Sequence, residues 1–507
     1  MSQTPFTQPP ASTPYPLGAP PARAAPLSRR RFLRGGAQGL ALAATAGALS
    51  ACGQREPIQL KSGVDPRWQQ FAGMTLNFIS ENTAPTAAIA ANLAPFQRLT
   101  GIRINIVRLQ LSSLVQKVAL DIAAGQGAYQ LVYADPYQIL APYHEALVDL
   151  HTFVGDHSLP QLPKGLGDFI DVQLDATGRF GSPDSLRCLP YDCPTMIWMY
   201  RRDLFDRYGG RMAEDLGFDP TPSDRITWEQ YYRIAQWLNH NQEEVPYGCG
   251  QQAKQHDSLM CDFSNVLWSY GGDYFGDGDK VGRLGTAHPG EPTLDQPESI
   301  EAAAFYRKLN RIAHPGSTSW DWTGLANAFA AGQVAMAPNW HEFAADMVAS
   351  LGQDNVGFAP MPRGPAGTAN HFGGTGIGIS GAATEREQKA AWLFLVWATS
   401  PEVQLMGMKS EAGGGTPTRA SVYQLQQAQQ AMRRPSELPN LLTYPAVSTA
   451  WQPDHIGLRP KIPAWNECDT AIYTELSKML VAGQSPTVTM RTAGRRFEQA
   501  ISQVDPG

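Results

Sequence analysis

The chain has 507 residues, of which 43% are hydrophobic and 17% charged, the balance of an ordinary globular protein and not of a disordered or fibrous one. That length is enough for two or three domains and a sizeable buried core. Residues 1–51 hold five arginines and no acid, so 35 of the 40 basic residues remain against 46 acidic ones, a net −11 behind the overall −6. A surface this acidic excludes the attraction that nucleic acid or an anionic lipid face requires, so neither is expected as a partner.

Residues 1–27 are rich in Pro, Ala, Ser and Thr and read as disordered. The basic stretch Ser28-Arg29-Arg30-Arg31-Phe32-Leu33-Arg34, an apolar run over about 37–49 and the small-residue stretch Leu49-Ser50-Ala51-Cys52-Gly53 follow the plan of an export signal. The apolar run is shorter than the ~20 residues of a membrane span. Ser-Arg-Arg-x-Phe-Leu resembles the twin-arginine export signal. Leu-Ser-Ala-Cys resembles a lipobox, whose cysteine becomes the lipidated first residue of the mature chain. The alternative is an Arg-rich tail before a chance apolar patch. The expectation is an exported chain anchored to the membrane through lipid on Cys52, facing the periplasm or cell exterior, with residues 1–52 removed or modified and 53–73 as a polar tether. No later segment reaches membrane-spanning length.

Five cysteines follow Cys52: Cys188, Cys193, Cys249, Cys261 and Cys468. They cannot all pair with one another, yet an oxidising compartment permits one or two bridges. Cys188/Cys193 and Cys249/Cys261 are the candidate pairs, and buried thiols are the alternative. No Cys or His spacing matches a zinc site, and no metal or cofactor is expected.

In chain order, the alternation over 74–80 predicts a strand, and a helix is expected from about 85, stopped by Gly101. Ile102, Ile104 and Ile106 alternate as a second strand. A helix over 114–124 closed by Gly125 and a short strand over 131–133 follow. Strand and helix alternate, which predicts an α/β domain around a largely parallel sheet. Residues 197–200 read as a strand. A helix over 228–239 opens with Thr227 at N-cap and Gln230 at N3. The stretch 268–285 reads as loops, and 300–312 as a helix. The strand 374–380 precedes a helix opened by Thr384 and Glu387 as a capping box, and Ser400-Pro401 opens the next. A last helix is expected over 465–480.

Five groups of residues along this order carry a resemblance. They are Phe96 with Gly101-Ile102; Pro190-Tyr191-Asp192 with Tyr200-Arg201-Arg202-Asp203-Leu204-Phe205; Phe329-Ala330-Ala331-Gly332-Gln333-Val334-Ala335-Met336; Gly373-Gly374-Thr375-Gly376; and Arg459-Pro460-Lys461-Ile462-Pro463-Ala464-Trp465. Together they resemble the extracellular solute-binding proteins of sugar-importing ABC transporters, the group that includes maltose-binding protein. The resemblance spans nearly all of 74–507. It implies a two-lobed α/β fold of the periplasmic-binding-protein type II, with discontinuous lobes joined by a hinge: 74–188 and 373–420 form lobe 1, and 189–372 and 421–507 form lobe 2. It further implies a monomer that closes around a sugar or oligosaccharide and delivers it to an ABC permease.

Ligands of open α/β sheets bind beyond the carboxyl ends of strands. Three acids fall there: Glu81, Asp135 and Asp192. A carboxylate accepts two hydroxyl hydrogen bonds, and aromatic faces cover the C–H faces of a sugar ring. Solvated loop carboxylates are the bland alternative. Trp340 follows a strand-like run where the family places a stacking aromatic. Tyr191, Trp268, Trp320, Trp322 and Trp465 are further aromatic candidates, each with core packing as its alternative. Gly374 and Thr375 offer backbone and hydroxyl groups, unless the hinge alone calls for the glycine. Arg459 either bonds sugar hydroxyls or forms a salt bridge between lobes. Cys188 and Cys193 flank Pro190-Tyr191-Asp192, a departure from the family pattern, while Phe205 and Tyr208 are expected to pack on their helix.

No enzyme motif survives. His341-Glu342 begins like HExxH but has Ala345 where the second histidine belongs. Gly378-Ile379-Ser380-Gly381-Ala382 departs from a nucleophile elbow at its last position. Gly248-Cys249-Gly250 lacks the strand before it that a dinucleotide site needs. A glycoside hydrolase is the strongest catalytic rival, since carboxylates and aromatics in a cleft serve both tasks; it would need two carboxyls spaced across one bond. A binder of a non-sugar solute such as a glycerol phosphate is the other alternative.

Overall fold

The computed structural model describes residues 58–410, 415–433 and 438–504. The proposed export signal and Cys52 lie outside the described residues. Ten strands occur among them: β1 Thr75–Glu81, β2 Arg103–Leu109, β3 Leu131–Ala134, β4 Cys188–Asp192, β5 Met196–Arg201, β6 Met336–Trp340, β7 Val356–Ala359, β8 Asn370–Phe372, β9 Thr375–Ile379 and β10 Ile456–Leu458. They form sheets in the orders β2-β1-β3-β9-β4, β6-β5-β7 and β10-β8. The fold is the two-lobed α/β architecture, one lobe around each larger sheet.

The first sheet is mixed, not largely parallel. β1 runs parallel to β2 and β3, while β9 is antiparallel to both β3 and β4. β9 belongs to this sheet although nearly 200 residues separate it from β4, so the lobe is discontinuous in sequence. Three of its five strands are wholly buried: every residue of β3, β4 and β9 lies inside. That is why these segments read as continuous apolar or small-residue runs and not as clean alternations.

β4 ends at Asp192 inside the first sheet and β5 starts at Met196 in the second, so the chain crosses at 193–195. A second crossing at Gly373-Gly374 runs alongside, with the Gly373 N–H donating to Pro194 O. Gly374 has φ +111°, and a Cβ there would meet Thr177 and Phe372 at 2.8–3.0 Å. A Cβ on Gly373 would come within 3.0 Å of the Trp340 ring. These two glycines are required by geometry, which accounts for them without a ligand. Near the crossings the buried Lys461 ammonium donates to the carbonyls of Asp175, Ala176, Arg179 and Arg283, tying the helix Asp171–Gly178 to the second lobe.

The helices follow their local signals closely. Thr227 with Gln230 and Thr384 with Glu387 form reciprocal capping boxes, and Ser400 caps the helix whose first residue is Pro401. Two of these expectations change. The helix expected from 85 to 101 is two helices, Ala84–Ala91 and Leu93–Thr100. A continuous one would drive the Pro95 ring into the Ala91 carbonyl. The stretch 268–285 is not all loop, because Trp268 lies in the last turn of the helix Asp257–Ser269 and Gly278–Arg283 is helical. Trp322 opens the helix Trp322–Ala330, with Asp321 as its N-cap. Phe205 sits edge-on to Trp198 and Tyr200, and Tyr208 meets Trp237, so both pack within the lobe.

The five described cysteines are all buried free thiols, which answers the question of their pairing in favour of packing. No helix among the described residues is long and apolar enough to cross a membrane.

Arg419 is the main polar pin of the first lobe. It is fully buried, lies 4.0 Å over the Phe169 ring, and donates to the carbonyls of Thr399, Pro163 and Gly165 and to Asp168. Asp168 also accepts from the Ser421 N–H and hydroxyl. Arg419→Met would leave Asp168 as an uncompensated buried charge and is expected to cost about 3–5 kcal/mol. Urea unfolding of the variant should show that loss; a change below about 1 kcal/mol would mean water replaces the guanidinium.

Candidate functional site

Strand direction decides which residues gather between the lobes. β1, β3 and β4 end at Glu81, Ala134 and Asp192, and β9, running the other way, begins at Thr375. Glu81, Asp135, Asp192 and Thr375 therefore share one edge of the first sheet. From the second lobe, β6 ends at Trp340 beside the start of β5, and His341-Glu342 follow it directly. The helix Asp257–Ser269 brings its first residue to the same place, and Arg459 arrives just after β10.

Arg459 is the centre of the polar arrangement. It is 4% exposed and lies 4.3 Å over the Tyr137 ring. One guanidinium nitrogen is 3.1 Å from Asp257 Oδ1, and another is 4.0 Å from Asp135 Oδ2. Asp135 and Tyr137 come from the first lobe, so Arg459 does form a contact between lobes. Asp135 Oδ1 accepts from the N–H groups of Tyr137 and Gln138 at 2.9 and 2.7 Å, capping the turn Pro136–Leu140. Burial raises the Asp135 pKa and Arg459 opposes that shift. Burial also raises Asp469, on the helix Trp465–Val481, and repulsion from Asp257 raises it further.

A second group of acids lies beside this one. Glu81 accepts a 3.0 Å hydrogen bond from the Tyr133 hydroxyl. Burial, together with repulsion from Asp135, Asp257 and Asp192, pushes its pKa up to about 7 against the lowering effect of that bond. Asp192 Oδ1 accepts from the Thr416 N–H at 2.7 Å. Burial raises the pKa of Asp192 and that of Glu342, and repulsion from Asp192 raises Glu342 further. His341 bonds Thr416 through Nε2 and the Thr195 backbone through Nδ1; burial holds its pKa down at about 4, so it is neutral.

Several polar atoms in this region have no protein partner: Arg459 Nε, His371 Nε2, Gln252 Oε1 and Asp469 Oδ1, each on a residue at most 5% exposed. Gln252 also donates to Asn339 Oδ1, and the Trp340 N–H donates to the same oxygen. Trp340, 8% exposed, stands edge-on to His371 at 5.4 Å.

The sequence candidates divide clearly. Glu81, Asp135, Asp192, Trp340, Thr375 and Arg459 come together. Trp322 borders them: it is half-buried and edge-on to His256, whose side chain caps the helix starting at Asp257. Tyr191 is 7% exposed within the first-lobe core, edge-on to Phe78 and Tyr133. Gly374 is explained by its backbone conformation. Trp320 stacks on His314 at 4.6 Å, apart from the acids. Trp465 is fully buried in the second-lobe core, edge-on to Tyr274 and Phe497. Trp268 lies near the other end of its helix from Asp257, roughly 16 Å along the axis at 1.5 Å per residue, although its ring stands edge-on to His371 at 5.2 Å. It lines a separate groove of about 540 Å³ with Asp273, Thr293, Gly367 and Gly457.

The sequence reading did not single out Asp257, Asp469, Tyr133, Tyr137 or Gln252, and took Glu342 only as part of a failed protease motif. For Glu342 a signal existed: it stands two residues after Trp340 at the same strand end. Asp257 and Asp469 carried none, because an acid in a helix reads as solvated surface until packing buries it. Among the described residues, no group of three or more His, Cys, Asp or Glu has metal-holding geometry.

The comparisons agree with this architecture. The family described as bacterial extracellular solute-binding protein matches residues 80–405. A probable amino-acid ABC transporter periplasmic-binding protein, y4oP of Sinorhizobium fredii, is 25% identical over 82% of this chain and 86% of its own length. The erythritol/L-threitol-binding protein of Mycolicibacterium smegmatis is 23% identical over 78% of this chain and 82% of its own. Among solved structures, maltose-bound MalE3 of T. maritima superposes with a TM-score of 0.68 at 20% identity, covering 84% of this chain and 99% of its own. A ribitol complex of an ABC transporter solute-binding protein from Agrobacterium radiobacter gives 0.68 at 21% identity, covering 85% and 99%. With the two lobes, the double crossing and the family match running through both, the chain belongs to the bacterial extracellular solute-binding proteins.

Proposed function

We propose that this chain is the lipid-anchored substrate-binding component of an ABC importer and that it captures a sugar or polyol between its lobes. The observation that carries the reading is the set of unpartnered, buried polar atoms beside Trp340. Arg459 Nε donates, Gln252 Oε1 accepts, and His371 Nε2 does either according to tautomer. A hydroxyl group both donates and accepts, so a polyhydroxylated solute satisfies such a mixed set where a purely anionic or apolar one does not. Glu81 and Asp135 add acceptors at the strand ends, and Trp340 adds an apolar ring. The relatives named for erythritol and threitol, for mannitol and, among structures, for ribitol support the solute class.

A phosphate-bearing solute fits less well. Arg459 is the cation facing this cluster among the described residues, and Asp257 and Asp135 already hold it. A glycosidase needs two carboxyls separated across a bond. Glu81, Asp135 and Asp192 are instead each engaged by hydrogen-bond donors of the protein itself.

The mature form with Cys52→Ser should bind a member of a panel of sugars and polyols by calorimetry and become more compact in solution scattering on doing so. Glycoside cleavage without compaction would overturn the reading, whereas binding of some other small solute would correct the substrate class alone. Trp340→Ala should weaken binding by about 1–3 kcal/mol if the ring covers the solute; unchanged affinity would remove Trp340 from the site. For the anchor, Cys52→Ser should move the exported chain from the membrane fraction to the soluble one. A wild-type chain already soluble after export would sink the lipid claim.

A further inference from the structure

We propose that the groove beside Trp268 is a second carbohydrate site, built by the second lobe alone and separate from the cleft. None of the acids of the cleft lines it, so the groove can be filled whichever solute the cleft takes.

Its volume of about 540 Å³ falls within the ~300–1,000 Å³ usual for small-molecule sites. Its walls come from the stretches 268–278, 293–299, 366–369 and 453–458. All four belong to the second lobe, so closure of the hinge leaves the shape of the groove unchanged.

Trp268 is fixed in the wall. Its Nε1 donates to Asp273 Oδ1 at 3.1 Å, and the ring is edge-on to Tyr274 at 6.1 Å and to His371 at 5.2 Å. A Cβ on Gly457 would collide with the indole, so only glycine lets β10 pass this close to it. The ring is half-buried and lines the groove. An indole held in this way offers an apolar platform that loses little side-chain entropy when it is covered.

The polar lining is rich in acceptors. Asp273 Oδ1 takes the Trp268 donor and the Tyr274 N–H at 2.6 Å, which together fill two of the four or so lone-pair sites of a carboxylate. Burial nevertheless pushes the Asp273 pKa up to about 6, the mark of a carboxyl short of donors. Thr293 and Ser299 spend their hydroxyl protons on the carbonyls of Asp273 and Thr293, so towards a solute they accept. Glu298 and Asp454 add exposed carboxylates. No lysine, arginine or histidine lines the groove among the described residues, which leaves an anionic solute nothing to pair with. Hydroxyl groups supply the missing donors, and the C–H face of a sugar ring covers an indole. One saccharide ring meets both needs.

The groove backs onto the cleft. His371 stands edge-on to both Trp268 and Trp340, and β10 carries Gly457 on the groove two residues before Arg459. A test must therefore separate the two places.

The Cys52→Ser mature chain labelled with 5-fluorotryptophan allows this, read by fluorine NMR during titration with maltotriose and, separately, with spermidine. Trp268→Phe and Trp340→Phe assign the two resonances. Maltotriose should shift the Trp268 resonance saturably, and the shift should persist in Trp340→Ala. Thr368→Tyr narrows the groove from a loop away from the cleft acids. It should raise the midpoint of the Trp268 shift by at least about tenfold and leave any Trp340 titration within about twofold. Ala366→Tyr serves if that variant does not fold. A Trp268 resonance unmoved by maltotriose overturns the site. So does a shift that disappears in Trp340→Ala, because it then reports the cleft through His371. A response to spermidine alone overturns the carbohydrate assignment. A silent Trp340 resonance bears only on the reading of the cleft, since the Trp268 shift and its loss in Thr368→Tyr still decide the groove.

Discussion

The organisation of this molecule depends on the burial of carboxyl groups where two sheets present their strand ends to each other. Taking a carboxylate out of water costs several kcal/mol unless hydrogen bonds or a partner charge replace the lost solvation. Each acid in the site meets that requirement differently. Asp135 uses two backbone N–H groups and the flank of Arg459; Asp257 uses Arg459 directly; Glu81 has the Tyr133 hydroxyl; Asp192 has the Thr416 N–H. These solutions draw on both lobes at once. The polar interior is therefore complete only when the lobes meet, which is the property a ligand-biased hinge needs.

The covalent path reinforces this. The crossings at 193–195 and 373–374 lie side by side, joined by Gly373 N–H to Pro194 O and by the pairing of Thr195 with Phe372. Gly373 is small because the Trp340 ring passes over it, and Gly374 because its backbone lies in a region few side chains tolerate. The glycines that look like a binding motif in sequence are thus explained by the proximity of the crossing to the aromatic ring. Lys461 adds a third tie: its ammonium, shared among four carbonyls, is enclosed tightly enough that burial brings its pKa down to about 7.

Much of the fold was legible in the sequence. Capping boxes at Thr227 and Thr384, the Ser400-Pro401 helix start and the ends at Gly101 and Gly125 are local signals, and local hydrogen bonding decided them. The errors have different causes. Pro95 split a helix because of its clash with a carbonyl four residues back, and Trp268 was taken for a loop residue because the glycines after it dominated the reading. β9 turned a parallel arrangement into a mixed one, since the direction of a strand returning after a long excursion is not written in its own residues. Among site residues, the acids at strand ends were legible because strand polarity places them. The tryptophans were not: Trp320 follows a short 3-10 turn, Trp340 ends β6 and Trp465 opens a helix, and only the packing of neighbouring elements sends one toward the acids and the others elsewhere.

By itself, the sequence determined the alternation of strands and helices, the strand-end position of Glu81, Asp135 and Asp192, and the free choice between paired and unpaired cysteines. Only the tertiary structure decided which helices add Asp257 and Asp469 to those acids, that Arg459 lies over Tyr137 between them, and that Thr416 donates to Asp192. The reason is physical. Hydrogen bonds within a turn act between residues three or four apart and leave a pattern in the chain. The compensation of a buried charge acts through space, and its partners here come from positions up to more than 300 residues apart.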